Sequence, residues 1–98
     1  MITLDRGITI INNIMAEMDK ADIEIPIKNI VENTTRYDEV AEAINYLTTL
    51  ISNAVEGQLT PDEYLNVFKL EVGMSDDEIT ELMEVCSFHM PKFKLEGE

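Results

Sequence analysis

The chain has 98 residues, enough for one hydrophobic core and too few for two, so a single domain spanning 1–98 is expected. An apolar share of 45% excludes a wholly disordered chain, and the lone cysteine, Cys86, excludes an internal disulfide framework or a cysteine-rich zinc site and favours a reducing compartment. Twenty acids against seven Lys and Arg leave a net charge of −13, which argues against direct binding to a nucleic-acid backbone, where affinity comes from cationic side chains displacing counterions.

Leu4, Ile8, Ile11, Met15 and Met18 recur at alternating steps of four and three, predicting a first helix over about 4–20 with Thr3 as N-cap and Asp5 in its first turn. Gly7 is expected to loosen that turn by roughly 1 kcal/mol relative to Ala. Ile10 and Ile14 fall off the main stripe, so either the helix is buried on more than one side or it carries an oligomer contact. Residues 21–33 are ambiguous. Ile23, Ile25 and Ile27 alternate as in a strand, but Pro26 lacks an amide donor and no partner strand is evident. The reading is an extended connector and then a short helix over about 26–33, with Pro26 at its first position and Ile27, Ile30 and Val31 on one face.

The central helix, over about 36–56, carries Tyr37, Val40, Ile44, Leu47, Ile51 and Ala54 on one face and Asp38, Glu39, Glu42, Asn45, Thr49, Ser52, Asn53 and Glu56 on the other. Thr34 and Thr35 are candidate caps with Asp38 as a box partner, and Gly57 ends the helix. One starting device then occurs twice, as Leu59-Thr60-Pro61-Asp62-Glu63-Tyr64 and as Met74-Ser75-Asp76-Asp77-Glu78-Ile79. Each copy offers a capping hydroxyl, a glutamate three positions on and an apolar staple. They predict helices over about 61–72 and 76–89, arranged as a C-terminal helical hairpin, the first carrying Tyr64, Leu65, Val67, Phe68 and Leu70 and closed by Gly73. In the tail, 91–98, Phe93 and Leu95 are placed to strap back onto the core, with Lys92 and Lys94 against acidic surface. The fold class is therefore all-α, a single small bundle of four to five helices.

Candidate chemistry is sparse. Cys86 and His89 lie three apart on the last predicted helix, within reach of each other, but Cys86 falls on the inward stripe and nothing is placed to orient the imidazole or hold an oxyanion, so a core cysteine is the preferred reading. Phosphate-binding, dinucleotide-binding and zinc-protease motifs are absent from the sequence. No catalytic residue, metal or cofactor is assigned, and an enzyme is not expected.

The charge pattern is the stronger signal. From Tyr37 to Pro91, twelve acids oppose Lys69 alone. Asp76, Asp77, Glu78, Glu81 and Glu84 form a ridge on the last helix, and Tyr46 is an aromatic ringed by Glu39, Glu42 and other polar groups, the composition of a binding anchor or of a tertiary contact. These residues are the candidate partner-binding set. The expectation is a protein-binding module or inhibitor that docks on a basic protein or a nucleic-acid-binding enzyme, in the manner of a nucleic-acid mimic and of small acidic proteins of phages and mobile elements. The alternative is a homo-oligomeric assembly protein joined through Ile10 and Ile14 of the N-terminal helix. The N-terminal residues form neither a secretory signal nor a membrane span, so a cytoplasmic location and no membrane partner are expected.

Overall fold

The computed structural model describes residues 2–32, 34–84 and 88–94, and for Ile30 only the backbone. The expectations placed on the side chains of Ile30, Cys86 and Leu95 lie outside those residues. The fold is all-α: α1 (Leu4–Lys20), a short α2 (Asn29–Glu32), α3 (Tyr37–Val55), α4 (Pro61–Asn66) running into a π-helical turn (Val67–Glu71), and α5 (Asp76–Glu84). Among the described residues no strand forms, and no helix is long and apolar enough to cross a membrane.

The two long helices, α1 and α3, make the principal contact of the fold. Ile10 and Ile14 from α1, with Ala43, Ile44 and Leu47 from α3, are fully buried there. Each such Leu or Ile removed from water contributes about 1.5–3 kcal/mol. Burial of α1 on more than one side therefore accounts for Ile10 and Ile14, and neither side chain is exposed to carry a contact between copies. Gly7 also differs from expectation. It is a buried contact, and its amide donates to the Thr3 carbonyl at 2.8 Å. A Cβ built there would lie 2.6 Å from Val40 Cγ1, so the two helix backbones approach as closely as they do only because position 7 has no side chain.

At its start α1 is capped as predicted, Thr3 Oγ1 accepting from the Arg6 amide at 3.1 Å. Its end is a Schellman turn, in which the Ile23 amide donates to the Met18 carbonyl at 2.9 Å and the Asp22 amide to the Asp19 carbonyl at 3.2 Å. Position 22, at φ +57°, is the left-handed residue of that turn, a place usually held by glycine.

Beyond it residues 23–27 form no helix, the chain bends at Pro26, and the short helix begins at Asn29, not at Pro26. The Ile27 amide donates to the Tyr46 hydroxyl at 3.0 Å, which ties the connector to α3. The α3 start also differs from the prediction. Arg36 occupies the N-cap without a side-chain bond, and Glu39 rather than Asp38 accepts from the Thr35 amide and hydroxyl, both at 2.9 Å. Ser52, predicted outward, is 2% exposed; its hydroxyl donates to the Thr49 carbonyl, so the small side chain enters the interior with its polar atom satisfied.

Both capping boxes form as predicted, at Thr60/Glu63 and Ser75/Glu78. The single helix expected over 61–72 instead widens into the π turn, closed by the Val72 amide on the Val67 carbonyl at 3.2 Å. Phe68 is fully buried, whereas Leu70, two positions on and across the turn, is 78% exposed. Among the described residues α5 ends at Glu84, and Phe88–Lys94 is not helical. His89 is held by its backbone: its amide donates to Thr48 Oγ1 at 2.9 Å and its carbonyl accepts from the Tyr64 hydroxyl at 2.9 Å. The segment then straps over the core, with Gly57 N–H on the Lys92 carbonyl and Lys94 N–H on the Leu59 carbonyl, both at 2.7 Å. Phe88 and Phe93 stack edge-on against Tyr64, and Phe88 also against Phe68.

Two substitutions test this account by thermal or urea denaturation. Gly7→Ala, which in an open helix would stabilise by about 0.5–1 kcal/mol, is expected to destabilise by about 1–2 kcal/mol through overpacking against the stiff, buried Val40; equal or greater stability would refute the close approach. Asp22→Gly is expected to stabilise by about 1 kcal/mol, because it relieves the left-handed backbone and removes a negative charge beside the negative end of α1. A destabilised variant would refute the strained turn.

Candidate interaction surface

The ridge on α5 divides into carboxylates that hold the fold and carboxylates that do not. Glu78 closes the capping box with the Ser75 amide at 2.9 Å and also receives a two-pronged bond from Arg6, Nε to Oε2 at 2.7 Å and Nη2 to Oε1 at 3.0 Å. The same Arg6 Nη2 donates to the Gly73 carbonyl at 2.8 Å, so one guanidinium joins α1 to the entry of α5. Arg6 holds the Glu78 carboxyl far below its ordinary range, at about 2, and the Ser75 bonds add to the effect. Glu81 accepts from the Ile2 amide at 2.8 Å and the Tyr37 hydroxyl at 3.3 Å, tying α5 to the start of the chain and to α3. The Ile2 amide is the main cause of its lowered pKa.

Asp76, 80% exposed, pairs with Lys69 at 3.0 Å across the link from the π turn to α5. Glu39 is committed to Thr35, with Arg36 at 3.8 Å, and its pKa is lowered chiefly by the Thr35 amide. Tyr46 is half-buried against the core, its hydroxyl taken by Ile27, so its environment is that of a tertiary contact. Glu42, Asp77 and Glu84 remain exposed, without an ion pair or side-chain hydrogen bond among the described residues. The candidate set is thus not one patch of equivalent groups. Glu78 and Glu81 fasten α5 in place, and Glu42, Asp77 and Glu84 project free charge from α3 and α5.

Two concave features escaped the sequence reading. A narrow, almost wholly apolar pocket of about 230 Å³ lies where Met18 and Ile23 meet Ile51, Tyr64 and the π turn at Val67 and Phe68. A larger open groove of about 910 Å³ runs between α1 (Asn12, Met15, Ala16, Asp19) and the extended connector Asp22–Lys28. The signal for the groove was present in the I-E-I alternation of residues 23–25, in which Ile23 and Ile25 are half-buried and Glu24 is exposed. Among the described residues, no group of His, Cys, Asp and Glu is arranged to hold a metal ion. His89 is exposed and lies outside any helix, and Cys86 is not among the described residues, so the thiol–imidazole pair has no geometry to assess. Known protein families, curated proteins and solved structures contain no match to this chain.

The Glu78 clamp makes stability depend on pH with a defined sign. Its folded pKa, about 2, lies below the ordinary value of 4.5, so its contribution is complete above pH 4.5 and is lost as pH falls through the folded value. Between those limits the wild-type protein is expected to lose more stability than Glu78→Gln. Urea titrations of both proteins at successive pH values check this, and parallel acid profiles would rule the clamp out.

Proposed function

We propose that this protein is a binding module or inhibitor that occupies the basic surface of a partner protein, such as the groove of a nucleic-acid-binding enzyme, where its carboxylates stand in for phosphates. One observation carries the reading. After the internal ion pairs are formed, Glu42, Asp77 and Glu84 stay solvent-exposed and unpaired among the described residues. They belong to a stretch in which twelve acids face one lysine, and that lysine is already committed to Asp76. Uncompensated charge of this density repels itself, which disfavours the compact state, and a cationic surface relieves the repulsion on contact. The Arg6–Glu78 and Ile2–Glu81 links support the reading indirectly, because they hold α5 as a fixed platform and so reduce the ordering that binding requires. A field of one sign also steers a cationic partner during encounter and repels nucleic acid.

Affinity capture tests the proposal. The immobilised protein is expected to retain basic proteins from a lysate at about 0.1 M salt and to release them toward about 1 M, as the screening length falls from about 10 Å to about 3 Å. Charge reversal of the three free carboxylates, in Glu42→Lys/Asp77→Lys/Glu84→Lys, is expected to weaken the strongest interaction by roughly tenfold or more while preserving the helical circular-dichroism spectrum. Capture that ignores salt, or that survives the triple reversal, would remove the electrostatic basis of the reading.

A further inference from the structure

We infer that the groove between α1 and the connector is a docking site for a short basic segment of the partner protein, in which an apolar side chain lies on the groove floor between arginines or lysines. This inference rests on the proposed function and locates a contact that the α3 and α5 carboxylates do not supply.

The floor and the rim of the groove have opposite chemistry. Met15, Ile23 and Ile25 are half-buried and form an apolar base, with Ala16 beside them. Asp19, Asp22 and Glu24 stand exposed around that base, and Lys28 is the one cation in the lining. None of these three carboxylates has an ion pair or a side-chain hydrogen bond among the described residues, whereas Glu17 on the other side of α1 is paired to Lys20 at 3.0 Å. Ile27, next to Pro26, is 49% exposed. The connector cannot simply fold down to fill the space. Its far end is pinned by the Ile27–Tyr46 bond and its near end by the Schellman turn at Asp22.

A second copy of this chain is a poor occupant, because it would bring a net charge of −13 against an acidic rim. An anionic or neutral peptide would leave the carboxylates uncompensated. A basic segment with one apolar anchor satisfies both parts, its cations meeting the rim while the anchor covers the exposed Met and Ile surface.

Asp22→Gly is expected to raise the melting temperature, so the groove variant is expected to stay folded, which its thermal melt checks before binding is compared. The probe is a capped peptide with a central leucine flanked by arginines, titrated calorimetrically against the intact protein while the Met15 methyl resonance is followed by NMR. Wild type is expected to bind with a shift of that resonance. Asp19→Asn/Asp22→Gly/Glu24→Gln is expected to lose roughly tenfold in affinity. Replacing the leucine by serine is expected to cost a similar factor.

Equal binding by the groove variant, equal binding of the serine peptide, or an unmoved Met15 methyl would overturn the inference. So would a concentration-dependent dimer of the peptide-free protein that the groove variant abolishes, since a second copy would then be the occupant. The lysate capture is a separate arm. If it depends on salt and on the α3 and α5 carboxylates but is unchanged by the groove variant, the groove fails and the proposed function stands. If no basic protein is captured, the proposed function itself fails.

Discussion

The close apposition of α1 and α3 is the constraint from which the rest of the structure follows. It requires a position without a side chain where the backbones meet, Gly7 beneath Val40, and in return it seals Ile10, Ile14, Ile44 and Leu47 from water. Protein interiors are packed at near-crystalline density, so a separation of even one methyl group would open contacts along the whole seam. The other elements attach to this pair and are individually too short to persist. α2 has one turn and α5 has nine residues, lengths at which an isolated helix is unstable in water.

Attachment joins the buried apolar side chains of Tyr64, Phe68, Ile79 and Leu82 to polar links on a strongly acidic chain. Seven Lys and Arg are shared among twenty acids, and Arg6 is placed where one guanidinium serves Glu78 and the Gly73 carbonyl together. Tyr37 and the Ile2 amide bind Glu81 without using a cation at all. Backbone and hydroxyl donors likewise serve Glu39 and Glu63. Neutral donors therefore do work that a balanced protein would give to lysine and arginine, and the net charge stays on the outside. The C-terminal strap follows the same logic, with Thr48 and Tyr64 satisfying the backbone of His89 beneath a layer of edge-to-face rings.

This division of labour bears on function. Carboxylates that fasten helices and carboxylates that face solvent have the same sequence signature, yet reversing Glu78 or Glu81 would damage the fold, while Glu42, Asp77 and Glu84 can be changed at the surface. The groove adds a second kind of acidic surface, one with an apolar base, on the opposite half of the chain from the ridge in sequence.

The all-α class, the extent of α1, the centre of α3 and both capping boxes were legible in the residues alone, because helical periodicity and capping are local properties written within a few positions. The same holds for the ends at Gly57 and Gly73, whose positive φ angles suit glycine. What the sequence could not decide was which member of a locally equivalent set would meet a distant partner. Nothing near Tyr46 shows that its hydroxyl receives Ile27, nothing near Ser52 or Thr48 shows that both are buried, and Glu81 differs from Glu84 only in facing the start of the chain. The π turn and the non-helical Phe88–Lys94 segment are likewise set by long-range bonds and aromatic packing, and the groove exists only because the two ends of the connector are held by elements far apart in sequence. Local pattern determined the helices; the contacts between them determined which acids are structural and which are free.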